Sequence, residues 1–452
     1  MLRKSLSSFS NFSKNFCTYN KPQAVIIGGG FSGLYTGIKL CQSDCFGEVS
    51  ILEKSSQVGG PCNLVNIEGH HFELSTQMGR EALSLLQDLG IDIEVENVCN
   101  ELFYSDSTLI TTPLNLMSKW NLFYPKSILR LLKRMIIAHD SEKFSEVLSD
   151  VNPKFKQMVL AMFAYPSASP EIEVSKVRKF LRDPGGHSRP VIVKNGIWNV
   201  INSMENEFRR LGGKIEFNEE CIKIESNQNK KIITTKNGLH NADLVISSSA
   251  WDNYPSESKS GLPLVSLFFE MCSEYTHPKG IHTTAFFPED IEEWFELLSS
   301  ENNEDIPKDF GFHCFPNILP NDEKGITAFI TTPRGTEHID SETKSYIEKY
   351  VLDKIEMRFK SFKKAVDKTH CLSPIEFKEQ FGFCSNAPTK LAPEGFSPMA
   401  YDQISGLYFI GDSTFPESPN IYGALQSAEN VTNVIIEEIM ENRDNASLSN
   451  KS

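Results

Sequence analysis

The chain has 452 residues, 40% of them hydrophobic and 23% charged, with a formal net charge of −14. That length exceeds what one hydrophobic core usually serves, so two domains are expected, in an ordinary globular composition. The acidic balance argues against nucleic acid as a partner, and the lack of any run of about eighteen apolar residues argues against a membrane span.

Residues 1–21 stand apart. The first twenty carry Arg3, Lys4 and Lys14, five serines and no acid, the first acidic residue being Asp44. Leu2, Leu6, Phe9, Phe12 and Phe16 recur at helical spacing, with the basic residues on the opposite side. This is the profile of a mitochondrial transit segment; a secretory signal would need a compact apolar core. The expected location is mitochondrial, with the cytoplasm as the alternative if the segment is only an acid-poor tail.

The most informative stretch is Gln23 to Gly60. Ala24 to Ile27 form a β-branched run that reads as a buried strand. Gly28-Gly29-Gly30-Phe31-Ser32-Gly33 then satisfies G-x-G-x-x-G, and a helical segment runs from Leu34 to about Cys41. A second strand, Val49 to Leu52, ends at Glu53, twenty positions after Gly33. Strand, glycine turn, helix, strand and acid together predict a dinucleotide site, against the alternative of a tight turn with no ligand. Gly28 permits the turn, Gly30 admits a pyrophosphate, and Gly33 lets helix and strand pack closely. Unpaired N–H groups and the positive end of the helix dipole favour the diphosphate. Glu53 would accept hydrogen bonds from the ribose hydroxyls and repel a 2′-phosphate, which argues against NADP there.

After Glu53 the chain reads Lys54-Ser55-Ser56-Gln57-Val58-Gly59-Gly60-Pro61-Cys62. This resembles the FAD-binding start of the flavoprotein superfamily that contains flavin amine oxidases, phytoene desaturases, carotenoid isomerases and protoporphyrinogen oxidases. The resemblance implies that Gly59 and Gly60 let the chain pass close to a flavin. Pro61 and Cys62 replace the arginine often found there. Cys62 also brings to mind disulfide reductases, but their second cysteine would fall at Ile67, so no dithiol forms. The ten cysteines form no C-x-x-C pair, and the histidines show no H-x-x-x-H or other metal spacing; no metal site and no G-x-S-x-G elbow is expected.

Phe72-Glu73-Leu74-Ser75-Thr76 resembles the superfamily segment that re-enters beside the isoalloxazine ring. Apolar spacing at Leu83, Leu86 and Leu89 turns helical, and Trp120 to Pro125 leads into a basic amphipathic helix, Ile128 to Ile137. Such a helix either docks on a membrane surface, giving a candidate peripheral contact over 120–137, or buries one face while its basic residues meet water; the second is favoured. Pro190 to Trp198 resembles the "P-x-G-G" entry of phytoene desaturases, with Asn195 in place of the first glycine. The superfamily position at Cys221 meets the adenine through its backbone, so cysteine serves there as well; an ordinary edge strand is the alternative.

Between about Gly261 and Ala392 a second sheet with helices is expected, including Leu264 to Phe269 and Ile326 to Ile330. Gly406 to Ile410 form a buried strand ending in Gly411-Asp412, and a helix opens near Ile421 and runs to about Met440. In the superfamily this aspartate binds a ribityl hydroxyl and the helix points its N-terminus at the flavin, where negative charge gathers on reduction. The resemblance covers nearly all of Gln23 to Met440. It implies an α/β fold: a discontinuous Rossmann-like FAD-binding domain over 22–80, 190–260 and 393–440, and a mixed sheet-plus-helix substrate domain over 81–189 and 261–392. Residues 441–452 are expected to be a disordered tail.

The implied cofactor is FAD, held by Gly28, Gly30, Phe31, Ser32, Gly33, Glu53, Lys54, Gly59, Gly60, Cys221, Gly411, Asp412 and Ile421. The implied activity is hydride transfer from a small, lipophilic organic substrate to the flavin, of desaturase, dehydrogenase or isomerase type, with oxygen or a quinone as acceptor. An amine or porphyrinogen oxidase is the second reading, and a non-catalytic flavoprotein that binds partners is the third. No catalytic residue is identified; Lys194 and Lys390 are the lysines that an amine oxidase reading would consider.

Overall fold

The computed structural model describes residues 21–98, 100–104, 109–112, 124–164, 173–175, 177–178, 190–227, 230–248, 262–300, 306–319, 323–333, 336–381, 400–402, 406–411 and 420–449. The first twenty residues, Trp120 to Phe123, Lys390 and Asp412 lie outside them.

The chain opens with β1 (Gln23–Ile27), α1 (Phe31–Gln42) and β2 (Glu48–Glu53), then a hairpin of β3 (Leu64–Ile67) and β4 (His70–Glu73). β5 (Gln77–Gly79), α2 (Arg80–Gln87), β6 (Val95–Asn97), β7 (Asn100–Tyr104), β8 (Leu109–Thr112), α3 (Pro125–Ile137) and α4 (Pro153–Ala164) follow. β9 (Pro190–Val193), α5 (Ile197–Arg210) and β10 (Lys214–Phe217) precede a meander of β11 (Cys221–Asn227), β12 (Lys230–Thr235) and β13 (Leu239–Ala242). Then come β14 (Leu244–Ser247), β15 (Leu264–Met271), β16 (Thr283–Phe287), α6 (Ile291–Ser299), β17 (Phe312–Pro316) and β18 (Gly325–Thr331). The last are α7 (Ser341–Arg358), β19 (Val366–Leu372), α8 (Pro374–Phe381), β20 (Tyr401–Asp402), β21 (Leu407–Phe409) and α9 (Ile421–Ser449).

The apolar run of β1 is buried on both faces, as a central strand of a parallel sheet must be. The sheet order is β10-β2-β1-β14-β21-β20, parallel except for β20. Ala24 and Ile26 pack with Leu34 and Ile38 of α1, Val200 and Met204 of α5, and Leu425 and Val431 of α9. Val25 and Ile27 face the other way, onto Ile233 and Ala242 of the meander. Strands from the beginning, middle and end of the chain are thus neighbours, which makes this domain discontinuous. α1 lies against α9, where Thr432 Oγ1 is 3.4 Å from Thr36 Oγ1.

The second sheet is mixed, in the order β19-β15-β18-β17-β16-β7-β8. Its alternation is equally plain: Leu267 and Phe269 enter a core with Trp294, Phe295, Ile347 and Val351, while Leu264 and Phe268 meet Phe72, Phe329 and Phe377 on the opposite face. A small sheet, β5-β9-β6, sends Met78, Val191 and Val193 into the first core.

Three boundaries differ from the sequence reading. α2 and the turn after it, through Leu85, Leu86, Leu89 and Ile91, pack into the first core although they follow residue 80. The β3–β4 hairpin, expected in the first domain, supplies Val65, Ile67 and Phe72 to the core under the second sheet. The C-terminal helix continues to Ser449, so the part of the expected tail that is described, 441–449, is helical. Once Ile435 and Ile439 are anchored in the core, extending the helix needs no new nucleation, and polar residues do not oppose it.

A buried ion pair ties α7 to the second sheet: Arg358 donates through Nε and Nη2 to Glu101 of β7, at 2.8 and 2.6 Å, and Glu101 is buried. Removing one partner strands a charge in the interior. Arg358→Leu is therefore expected to cost about 3–5 kcal/mol in denaturant unfolding, and Glu101→Gln in the same chain to recover part of that loss. Equal stability of the single and double variants would show the pair to be inconsequential.

Candidate cofactor site

The site lies at the carboxyl ends of β1, β2, β14 and β21. Gly28 leaves β1 with φ +96°, a left-handed conformation that favours glycine, and its N–H donates to Leu52 O at 2.9 Å. Ser248, just after β14, braces the turn by donating to Ile27 O at 2.9 Å. A Cβ on Gly33 would stand 1.9 Å from the Gly28 carbonyl oxygen, so only glycine lets α1 start this close to β1. At Gly30, by contrast, an added Cβ would meet nothing within 4 Å. The space over the first turn of α1 is open, and no side chain caps that helix. The N–H groups of Phe31, Ser32 and Gly33 therefore present an uncapped, positive helix end to it.

Glu53 closes one side. It is buried, and its two carboxylate oxygens accept hydrogen bonds from Gly29 N–H at 2.7 Å and Ser55 N–H at 2.9 Å. Charge-assisted bonds of this kind compensate the desolvation of the carboxylate and leave lone pairs on both oxygens. Gly59 N–H donates to Gly29 O at 2.9 Å, and the Gly60 Cβ position lies 3.9 Å from Gly30 Cα, so the Gly59-Gly60 pair runs beside the glycine turn. Asn63 pins this loop by donating to Val58 O at 2.7 Å.

From the other end of the chain, Gly411 follows β21 and donates its N–H to Ser427 Oγ of α9 at 3.2 Å. The Gly411 Cβ position is 4.0 Å from Ser32 Oγ. Ile421 is the first residue of α9 and is half-buried, and Asn420 caps that helix by accepting from Gly423 N–H at 2.9 Å. The segment after β10 joins the site from below, with Glu219 N–H donating to Glu53 O at 2.9 Å and Asn218 N–H to Ser55 O at 3.1 Å. That carries Cys221, at the start of β11, toward the acid; burial pushes its thiol up to about 11, so the sulfur stays protonated. Lys54 follows Glu53 and is half-buried.

Of the sequence-derived residues, the contacts above bring Gly28, Gly30, Ser32, Gly33, Glu53, Gly59, Gly60 and Gly411 together, with Phe31 between two of them in the chain; Cys221 stands at the start of β11 and Ile421 at the start of α9. Asp412 and Lys390 fall outside the described residues. Lys194 does not belong: it is about half exposed and its ammonium pairs with Glu94 at 2.9 Å, which holds it charged at the surface. Glu216, Glu219 and His240 lie near enough to one another to hold a cation, a grouping invisible in linear spacing because β10, the following loop and β13 each supply one member. His240 is occupied there by Glu219 at 3.4 Å.

The residue that sequence reasoning passed over is Glu73. It is buried where three distant segments meet: Oε2 accepts from Ile318 N–H, Thr327 Oγ1 donates to its carbonyl at 2.9 Å, and Oε1 points at the N-terminus of α5 beside Ile197. A Cβ on Gly196 would stand 2.1 Å from Oε1, so that carboxylate accounts for the glycine. Asn195 before it has φ +65°, a conformation that asparagine tolerates, which explains how it replaces the first glycine of the "P-x-G-G" pattern.

Burial pushes the Glu73 carboxyl up to about 7, against the pull of the Ile318 and Ile197 N–H groups. Since an unfolded glutamate titrates near 4.5, the folded chain holds the extra proton between those values. Its contribution to stability is then full below pH 4.5 and is lost as pH rises through 7. Glu73→Gln is expected to flatten this fall in a melting-temperature series, gaining on the order of 1–3 kcal/mol over the native chain at about pH 8. An unchanged pH profile would contradict the assignment.

Residues 31–436 match the family model described as flavin containing amine oxidoreductase. Over 81 residues the chain is 32% identical to phytoene desaturase of Fusarium fujikuroi, a match covering 17% of this chain and 14% of that protein. Cyclohexylamine oxidase from Brevibacterium oxydans IH-35A has a similar structure, with a TM-score of 0.62 and 12% identity over 93% of this chain and 100% of that one. An oxidoreductase from Methanosarcina mazei aligns with a TM-score of 0.60 and 16% identity, over 91% of this chain and 100% of that one. At these identities the two structures share a fold with this chain. The extent of the family match says more: the chain belongs to the flavin containing amine oxidoreductases.

Proposed function

We propose that the flavin is FAD and that the chain oxidises a small, lipophilic organic substrate, as a desaturase, dehydrogenase or isomerase. The observation that carries the FAD reading is the open space over Gly30, bordered by an uncapped helix end and a buried acid. These residues fit a dinucleotide: the N–H groups of Phe31 and Ser32 would hold its diphosphate, Glu53 would accept from the adenosine ribose, and the backbone at Cys221 would meet the adenine. Gly59 and Gly60 give the flavin half room to pass. The start of α9 would face the pyrimidine side of the flavin, where negative charge gathers on reduction; Asp412, which the resemblance assigns to the ribityl chain, lies outside the described residues. When bound, the flavin supplies the hydride acceptor at N5. The protein's own part is to orient that group and to keep water from it.

The match to a phytoene desaturase supports the lipophilic reading. A second reading, oxidation of an amine, is favoured by the family description and by the likeness to cyclohexylamine oxidase. The surface pairing of Lys194 removes one lysine that such a mechanism would recruit. The basic, acid-free first twenty residues support a mitochondrial address. A fluorescent fusion of residues 1–21 that stays in the cytosol would overturn that part.

The purified chain is expected to be yellow and to release FAD on denaturation. Anaerobic bleaching by polyenes or related apolar compounds, with reoxidation by quinones, would support the first reading; bleaching by amines with peroxide formed in air would support the second. A flavin that no substrate reduces would point to a non-catalytic role. Glu53→Ala is expected to weaken FAD binding roughly tenfold to a hundredfold, since it removes a charged acceptor of ribose hydroxyls. FAD affinity unchanged by that substitution would contradict the placement of the ribose.

A further inference from the structure

α3 carries two apolar stripes, and the fold covers one of them. Ile128, Leu131 and Met135 turn inward onto the core of the second sheet. Leu129, Leu132 and Ile136, spaced i, i+3 and i+7, form a second stripe that is 68%, 53% and 80% exposed, and Ile137 beyond it is 68% exposed. An ordinary amphipathic helix would put polar residues there. Beside this stripe run Lys126 and Lys133, also i and i+7, both exposed and without an ion pair among the described residues. The thirteen residues of α3 hold Lys126, Arg130, Lys133 and Arg134 and no acid, in a chain of net charge −14. The helix is thus basic in an acidic chain.

The helix is held firmly. Asn152 N–H donates to Ser127 Oγ at 3.0 Å, and Arg178 donates to Ala138 O at 2.7 Å just past its C-terminus. Arg130 and Arg134 turn back to the protein, toward Asp150 O and Glu142. That leaves lysines, compact and strongly hydrated charges, alongside the aliphatic row. Protein–protein interfaces deplete lysine from their buried cores, whereas a helix lying in a lipid interface combines exposed aliphatic side chains with lysines at the headgroup level. The charge contrast selects an anionic surface, and the convex apolar row selects one it can sink into.

We propose that the outer face of α3, through Leu129, Leu132, Ile136, Lys126 and Lys133, docks on a phospholipid bilayer bearing anionic headgroups. The contact is peripheral, since among the described residues no helix is long and apolar enough to cross a membrane. One amphipathic helix gives reversible binding, dependent on both apolar insertion and charge. The sequence favours one buried face with the basic residues toward water; that face exists, and the second, exposed apolar stripe is what the fold adds.

The test is co-sedimentation of the full chain with vesicles of phosphatidylcholine alone and of phosphatidylcholine with about one-third phosphatidylserine. Binding to the anionic vesicles only, weakened by added salt, is expected. The pair Leu129→Ser with Ile136→Ser, and separately Lys126→Gln with Lys133→Gln, should each reduce it roughly tenfold while melting temperature and flavin content stay unchanged, because these side chains are exposed. Failure of the native chain to bind anionic vesicles, or binding unaffected by both pairs, would overturn the proposal. So would a dimer in sedimentation equilibrium that the Leu129/Ile136 pair dissolves, which would assign the face to a second copy.

Discussion

The contact on which the rest depends is the near-touch of α1 and β1 at Gly33 and the Gly28 carbonyl, where a single Cβ would stand 1.9 Å from oxygen. Because nothing intervenes, the first turn of α1 points along the ends of the parallel strands and not away from them. That direction aims its unpaired N–H groups and its dipole into the space over Gly30. Glu53 then fixes the turn from the second strand by holding Gly29 N–H at 2.7 Å. Once the turn is rigid, the Gly59-Gly60 segment has a surface to run along.

The same sheet brings the late part of the chain to the early part. β14 pairs with β1 on one side and β21 on the other, so Gly411 arrives near Ser32, and α9 packs on α1. A cofactor lying here would touch residues drawn from both ends of the sequence, and its binding would be coupled to the folding of the whole first domain. The second sheet contributes differently. Its face lies against the β3–β4 hairpin, and Glu73 at the end of that hairpin is held by segments from β17, β18 and α5. A buried carboxyl shared by three segments makes the junction between the two halves sensitive to proton uptake.

What the sequence disclosed follows from range. The glycine turn and Glu53 were legible because each part acts over a few residues and their spacing is set by one strand, one helix and a second strand. Asn195-Gly196 was legible as a likeness, and the positive φ of both residues gives its physical reason. Glu73 was not, because its burial depends on Ile318 and Ile197, far away in the chain. The outer stripe of α3 was half legible: periodicity reported an amphipathic helix, but which apolar row finds a core is decided by tertiary packing. The hairpin β3–β4 and helix α2 exchanged domains for the same reason. The final turns of α9 were misread from their polar composition, since a helix already nucleated extends through residues that could not start one.

The central claim is that the two ends of the chain clasp one dinucleotide, with the adenosine half held by Glu53 and the turn before α1. Titrating the deflavinated full chain with FAD and, separately, with FMN tests this most directly, because FMN lacks the adenylate half. The account predicts saturation at one FAD per chain, a raised melting temperature, and markedly weaker binding of FMN. Equal affinity for the two flavins, or a folded chain that takes up neither, would contradict it.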